Sequence, residues 1–108
     1  MYINFDFASR LSQLRMQKGV SARDMSLSIG QNETYINKIE NRKALPSMEC
    51  FFYICEYLEV TPAQFFDETI TNPRKLQRLL SFSKRLSDTE IDHVINIVED
   101  ITQNEKPG

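Results

Sequence analysis

Residues 30–43 of the chain read GQNETYINKIENRK, which begins with a glycine and ends in an Arg-Lys pair. Ile36 and Ile39 lie three positions apart, and this spacing predicts a helix with one buried side. Asn32 is a favourable N-cap residue, so the helix is predicted to begin at Glu33. Its outer side would then carry four polar residues, which are Glu33, Thr34, Asn37 and Lys38. Such a row is either an ordinary solvated surface or a surface that contacts a partner.

The residues before this stretch predict two further helices. Phe7, Leu11 and Leu14 are spaced by four and three positions, which indicates the apolar stripe of a first helix. A second, short helix is predicted between Ser21, which suits an N-cap, and Gly30, which suits a helix end. The first part of the chain is therefore predicted to form three short helices joined by turns.

N-cap residues predict four more helices downstream. Ser47 precedes an apolar segment, and Thr61 and Asn72 are each followed by a proline, which is favoured at the first helical position. Ser87 begins the sequence SDTE, which is a capping box. Together with the three helices above, these signals predict an all-α fold.

The predicted helices fall into two groups along the chain. Residues 1–68 hold five short helices around one core, in which the pairs Phe51–Phe52 and Phe65–Phe66 are expected. Residues 69–108 hold two longer helices, predicted as a C-terminal helical hairpin that ends in a frayed tail. The apolar positions of this hairpin are Leu76, Leu79, Leu80, Leu86, Ile91, Val94, Ile95, Val98 and Ile101.

The charges of the chain are unevenly distributed. The 108 residues carry a formal net charge of −2, whereas a compact DNA-binding domain is more often basic. Residues 1–48 contain seven basic and four acidic side chains, and residues 49–69 contain five acidic and no basic side chains. The remaining residues are balanced. This distribution predicts a polarised surface with a basic N-terminal part.

Several classes of site and location are not supported by the sequence. Cys50 and Cys55 would lie about 140° apart around one helix, too far to form a disulfide, so both are expected as reduced thiols that are at least partly buried. His93 is the only histidine, so no metal site, cofactor or catalytic set is predicted. No apolar run approaches membrane-spanning length and no signal peptide is found in the sequence, so a cytoplasmic protein is expected. The sequence contains no recognisable Ser/His/Asp set and no Gly-rich phosphate loop, so no enzymatic activity is expected.

Two long segments carry motifs of a known family. RLSQLRMQKGVSARDMSLSIG, residues 10–30, contains Leu-x-x-Leu-Arg, then Gly-hydrophobic-Ser, then a short helix that ends in Gly. NETYINKIENRKALPSMECFFYICEYLEVTPAQFF, residues 32–66, contains Tyr-Ile-x-x-Ile-Glu, a basic turn, Pro-Ser and an apolar helix. In order and spacing, these motifs resemble the lambda-repressor-like helix-turn-helix domain of the Cro/C1 (xenobiotic-response-element) group of bacterial and phage regulators. The resemblance implies a five-helix DNA-binding domain.

The resemblance also implies which residues face DNA. In this family the third helix lies in the major groove, and residues near its N-terminus contact base edges. Asn32 would then lie at the helix mouth beside a phosphate, and Tyr35 would combine packing with a phosphate contact. Arg15 and Lys18 are further candidates for flanking phosphates. The implied DNA-binding set is Arg23, Asn32, Glu33, Thr34, Tyr35, Asn37, Lys38, Asn41, Arg42 and Lys43.

The chain departs from the family pattern at two positions of this surface. Ala22 stands where the family often has a glutamine that braces the phosphate and the recognition helix, and Arg23 is a candidate replacement. Glu33 places a carboxylate on the surface that the resemblance assigns to DNA, which is a polyanion. This carboxylate lowers the non-specific affinity for DNA and raises selectivity by penalising wrong bases. Ala22 and the acidic pI of the chain keep a second interpretation open, in which the fold is a protein-interaction module such as an antitoxin or anti-repressor. Its protein partner would bind the acidic residues 49–69 or the C-terminal hairpin.

The C-terminal hairpin is predicted to join two copies of the chain. A two-fold dimer would place two recognition helices about 34 Å apart, which is one turn of DNA. The favoured function is therefore a repressor-like bacterial regulator that binds a palindromic operator as a homodimer. Packing of the hairpin onto its own domain is the alternative. The predicted dimer residues are Leu76, Leu79, Leu80, Ile91, Val94, Ile95 and Val98.

Overall fold

The computed structural model describes residues 5–104, and this part of the chain contains seven helices and no strand. The all-α prediction is confirmed. The predicted frayed tail lies outside the described residues, apart from its first residue. No helix between residues 5 and 104 is long and apolar enough to cross a membrane. The helices are α1 (Phe7–Lys18), α2 (Ala22–Ser28), α3 (Tyr35–Glu40), α4 (Met48–Leu58), α5 (Pro62–Phe66), α6 (Pro73–Ser83) and α7 (Asp88–Asn104).

The chain divides into two compact parts between Leu76 and Gln77, within α6. The first part contains α1 to α5 and the start of α6, and the second contains the rest of α6 and α7. The sequence suggested a boundary after residue 68, at the ETITN segment that separates five short helices from two longer ones, and this boundary stays a prediction.

The first part is organised around one apolar core. Phe65 is fully buried, and its ring centroid lies 4.8 Å from that of Phe7 and 5.2 Å from that of Phe51. The prediction that Phe52 and Phe66 are core residues is wrong, because 52% and 50% of their surface is exposed. They follow their buried neighbours directly, and consecutive residues of a helix point in different directions. The other residues with almost no exposure are Leu11, Met25, Ser26, Ile36, Ile39, Ile54, Leu58 and Pro73.

The helix ends follow the signals read from the sequence. Ser21, Ser47 and Thr61 are the N-caps of α2, α4 and α5, and each side chain accepts a backbone N–H bond from three residues on. Gly19 ends α1 in the left-handed conformation, with φ of 76°. Glu59 ends α4 in the same conformation, although its side chain has a Cβ atom that disfavours it.

Arg10 is a buried charge that the sequence analysis missed. Only 3% of its surface is exposed. Its guanidinium donates to the backbone carbonyls of Gln64, Phe65, Asp67 and Ile70 at 2.7–3.0 Å. Burial lowers the pKa of this guanidinium, and nearby carboxylates partly offset the effect. A single α1 side chain therefore fixes the end of α5 and the loop that follows it.

Both cysteines are free thiols, as predicted. Cys55 is buried in α4, and burial raises the pKa of its thiol to about 11. Cys50 is half-buried on the same helix. Across residues 5–104, no group of three or more His, Cys, Asp or Glu side chains is arranged to hold a metal ion.

The second part has well-capped helices but no buried core. Ser87 and Glu90 form the predicted capping box at the start of α7, with bonds of 2.8 and 3.2 Å. Leu86 was expected in α6 but lies beyond the end of that helix at Ser83. No residue from 77 to 104 is buried.

Candidate nucleic-acid interface

The angle between α2 and α3 is fixed by a buried serine. The Ser26 hydroxyl donates to the Ala22 carbonyl at 2.7 Å and accepts from the Ile36 N–H at 3.0 Å. The α2 helix ends at Ser28, two residues before the predicted end at Gly30, and Gly30 has a left-handed backbone with φ of 78°. Thr34, the N-cap residue of α3, makes no side-chain capping bond. Ser26 therefore supplies the acceptor for one N–H in the first turn of α3, that of Ile36. This bond connects the middle of α2 to the first turn of α3.

The prediction that the third helix begins at Glu33 is wrong, because α3 begins at Tyr35. The Asn32 side chain accepts bonds from the N–H and hydroxyl of Thr34 at 2.8 and 2.7 Å. These bonds close a turn around Glu33, and the helical hydrogen bonds start only with Lys38 N–H to the Thr34 carbonyl. Glu33 and Thr34 therefore lie in a turn directly before the N-terminus of α3.

One side of α3 is continuous, polar and exposed. Asn37, Lys38 and Asn41 are all exposed, and together with Thr34 they cover an arc of about 100° around the helix. Ile36 and Ile39, on the other side, are 0% and 1% exposed. The rigid core behind the helix leaves this polar side free to contact a partner.

Tyr35 occupies the edge between the polar side and the core. Its side chain is half-buried and packs against the apolar core. Burial is the largest cause that raises the pKa of its hydroxyl to about 12, and hydrogen bonding with Cys50 is the next largest. The hydroxyl is therefore protonated at neutral pH and can act as a hydrogen-bond donor.

Two of the predicted DNA-binding residues bind each other. Arg23 Nε lies 3.1 Å from a Glu33 carboxylate oxygen, and the two side chains are 65% and 58% exposed. The ion pair joins α2 to the turn that precedes α3. It also reduces the repulsion that the Glu33 carboxylate would exert on a polyanion.

Arg42 lies at the C-terminal end of α3 and has a left-handed backbone, with φ of 62°. Its guanidinium donates to the Asp6 carboxylate and, at 3.1 Å, to the Ser9 hydroxyl. Bonds from Ser9 and Arg42 lower the pKa of the Asp6 carboxyl, with the Ser9 backbone N–H as the largest cause. Arg42 therefore links the end of α3 to the N-cap of α1, while Lys43 beside it is exposed without such a partner.

Arg15 and Lys18 do not lie free for phosphates as the sequence analysis suggested. Arg15 donates to both Glu40 carboxylate oxygens, at 2.7 and 2.9 Å, and to the Val20 carbonyl at 2.8 Å. Lys18 lies over the Tyr57 ring, 4.9 Å from its centroid. The ion pair of Arg15 is largely shielded from solvent, so this arginine holds α1 against α3.

The geometry of α2 and α3 agrees with a comparison with known families. A family model described as helix-turn-helix matches residues 11–65. The chain belongs to this helix-turn-helix family, of the Cro/C1 type. The matched range runs from α1 to Phe65 in α5, and it identifies the chain as a DNA-binding regulator. No match was found among curated proteins or among solved structures.

Replacing Ser26 with alanine is expected to lower the free energy of unfolding by about 1–3 kcal/mol. The substitution leaves the buried N–H of Ile36 without an acceptor. The loss is measured by urea denaturation, with Ser28→Ala as the matched control because Ser28 is exposed on the same helix. Equal stability of the two variants would show that the Ser26 bond does not hold α3 in place.

Proposed function

We propose that this regulator is a repressor that binds a palindromic operator as a homodimer in the bacterial cytoplasm. The observation that carries the proposal is the exposed polar side of α3, which Ser26 holds at a fixed angle to α2. An α-helix fits the major groove of B-DNA, where each base pair presents a distinct set of donors and acceptors. The proposed orientation places this side against base edges.

The side chains at the start of α3 suit direct contacts with bases. Asn37 can make two hydrogen bonds to adenine, and Lys38 can donate to the O6 and N7 atoms of guanine. Thr34 can contact a thymine methyl group or donate its hydroxyl. Glu33 can accept from cytosine N4, provided that Arg23 is drawn to a neighbouring phosphate.

The residues around the base-reading side suit the phosphate backbone. Lys43 is exposed and free to bind a phosphate, and the Asn41 amide is exposed beside it. Arg42 can reach a phosphate only by sharing its guanidinium with Asp6 or leaving it. At the other end of α3, the side-chain oxygen of Asn32 is held by Thr34, so the side-chain nitrogen of Asn32 is one proposed donor there. The Tyr35 hydroxyl is the other, and to donate to a phosphate it must give up its hydrogen bond with Cys50.

The second part of the chain supports the dimer. Leu79, Leu80, Ile95 and Val98 are 44–54% exposed, which is unusual for apolar residues at helical spacing. Leu76, Ile91 and Val94 are half-buried. Burial of these side chains against a second copy is the proposed source of dimer stability.

A protein-interaction module of the same fold is the second candidate. The α4 helix exposes Phe52 and Tyr53 between the acidic residues Glu49 and Glu56. An exposed aromatic surface with acidic neighbours favours a protein over DNA as its partner. Salt dependence separates the candidates, because phosphate contacts weaken steeply with salt and apolar contacts do not.

The test is selection of bound sequences from a random DNA pool by the full chain, at two salt concentrations. We expect an enriched inverted repeat whose half-sites are centred about one helical turn apart, with weaker recovery at high salt. Asn37→Ala in parallel serves as a folded control that lacks one base contact. No enrichment by protein that is folded by circular dichroism would overturn the proposal in favour of the interaction module.

Replacing Lys38 with alanine is expected to change the preference at one base pair of each half-site, at a cost of about 1–3 kcal/mol. Lys43→Ala is the matched control, since loss of a phosphate contact weakens binding to all sequences alike. Both variants are measured by fluorescence anisotropy on a panel of single-base operator variants. An equal loss across the whole panel for Lys38→Ala would remove this lysine from base recognition.

A further inference from the structure

The α6 and α7 helices each leave an apolar stripe uncovered. In α7 the stripe covers an arc of about 120° and is formed by Ile91, Val94, Ile95, Val98 and Ile101. Ile95, Val98 and Ile101 are 46–52% exposed, and in α6 Leu79 and Leu80 are 54% and 44% exposed. A single chain therefore does not cover the apolar surface of these helices.

The two helices carry opposite charges. Residues 73–86 contain five basic and no acidic side chains, and residues 88–104 contain five acidic side chains and no lysine or arginine. Within the described part of the chain, Arg74 pairs with Glu59 at 3.0 Å, and none of the other charges in these two segments forms an ion pair.

The charges flank the apolar stripes. On α7, Asp88, Asp92 and Glu99 lie within about 40° of one another, beside one edge of the stripe. On α6, Lys75 lies about 40° beyond Leu79 at one edge of the leucine stripe, and Arg78 lies on the same side of the helix, about 100° from Leu79. Charges at such flanking positions select which helix packs against which, because like charges across an interface repel.

We propose that the two copies of the chain pair through unlike helices, with α6 of one copy against α7 of the other. This inference rests on the proposed dimer and defines its geometry. Pairing of α7 with α7 would bring two acidic helices together, whereas pairing of α6 with α7 places basic beside acidic side chains at both contacts. The same contacts bury the leucine stripe of α6 against the isoleucine and valine stripe of α7.

The first test uses two charge-reversed variants of the full chain. One carries Lys75→Glu and Arg78→Glu on α6, and the other carries Asp92→Lys and Glu99→Lys on α7. Each variant alone is expected to dimerise at least about 10-fold more weakly than the unaltered chain, and an equimolar mixture is expected to form heterodimers. Mass is measured by analytical ultracentrifugation at low salt, where charge effects are largest.

Recovery of dimers when the two variants are mixed distinguishes pairing of α6 with α7 between two copies from pairing of these helices within one chain. If α6 and α7 pair within each chain, mixing cannot restore what each variant has lost. Variants that dimerise as tightly as the unaltered chain, or that stay monomeric when mixed, overturn the inference. Restored heterodimers also show that neither set of substitutions prevents folding.

A second test separates unlike from like pairing of helices. The chain with all four substitutions carries an acidic α6 and a basic α7. Under the proposed geometry it forms its own homodimers and does not mix with the unaltered chain. Preferred mixing of the two chains would instead indicate pairing of like helices and overturn the inference.

The outcome for the unaltered chain distinguishes the two proposals. If it is a dimer whose strength the substitutions do not change, the helix pairing is wrong while the palindromic operator still stands. If the unaltered chain is a monomer, the dimer itself is wrong. If reversal on α6 leaves the dimer intact but weakens DNA binding, the basic side chains serve the DNA and the pairing inference is overturned.

Discussion

Replacing Arg10 with methionine is expected to lower the free energy of unfolding by about 3 kcal/mol, which is a large part of the stability of a small domain. Methionine has a similar length and no donor, so the carbonyls of Gln64, Phe65, Asp67 and Ile70 lose their shared partner. These groups are then left unsatisfied or must be solvated by water that enters the core. We expect the end of α5 to loosen first.

The measurement is urea denaturation of the Arg10→Met variant beside Arg23→Met, a matched control because the Arg23 side chain is 65% exposed. Arg23→Met is expected to change stability by less than about 1 kcal/mol. Hydrogen exchange at residues 64–70 should rise in the Arg10 variant alone. If both variants lose equally little stability, the buried guanidinium does not hold α5 in place.

Replacing both Ile95 and Val98 with glutamate is expected to convert the proposed dimer into monomers and to weaken binding to the proposed operator by about 100-fold. Each monomer keeps its own contacts with a half-site. The second half-site loses affinity because the monomer that binds it is no longer held close to the DNA by a partner bound to the first half-site. Two carboxylates in the α7 stripe also cannot be buried without a large desolvation cost. Light scattering gives the mass, and fluorescence anisotropy gives the affinity.

Asn96→Glu is the matched control, since Asn96 is exposed on α7 and lies away from the stripe. It should leave the mass and the operator affinity unchanged. Binding to a single half-site should be the same for all three proteins, because the α3 surface is not altered. An unchanged mass for the Ile95 and Val98 double variant would contradict the assignment of the dimer surface to α7.

The sequence predicted the helices well because their signals are local. Capping serines and threonines, prolines at first positions and apolar spacing act within a few residues, and most helix ends followed them. The start of α3, the end of α2 and the end of α6 were exceptions. Asn32 can cap a helix or close a turn with Thr34, and the two choices differ only in backbone conformation, which the sequence does not give.

The polar contacts between helices were much harder to predict. Arg10 and Ser26 both lie on apolar faces at helical spacing, Arg10 three residues after Phe7 and Ser26 four residues after Ala22 and three before Ile29, which was a usable signal. Their partners are backbone groups of other segments, however, and such partners have no signature of their own in the sequence. The same reason explains why Arg15 looked free for phosphates when its partner is Glu40, 25 residues away.

The left-handed backbone of Arg42 constrains how this regulator can change over time. Glycine would adopt that conformation without the cost of about 1–2 kcal/mol that a side chain imposes. Yet glycine would remove the cation that Asp6 holds at the end of α3, and with it a proposed phosphate contact. Under the proposed phosphate contact, a change that relieves the backbone there would weaken binding, so position 42 would couple evolutionary gains in stability to losses in affinity.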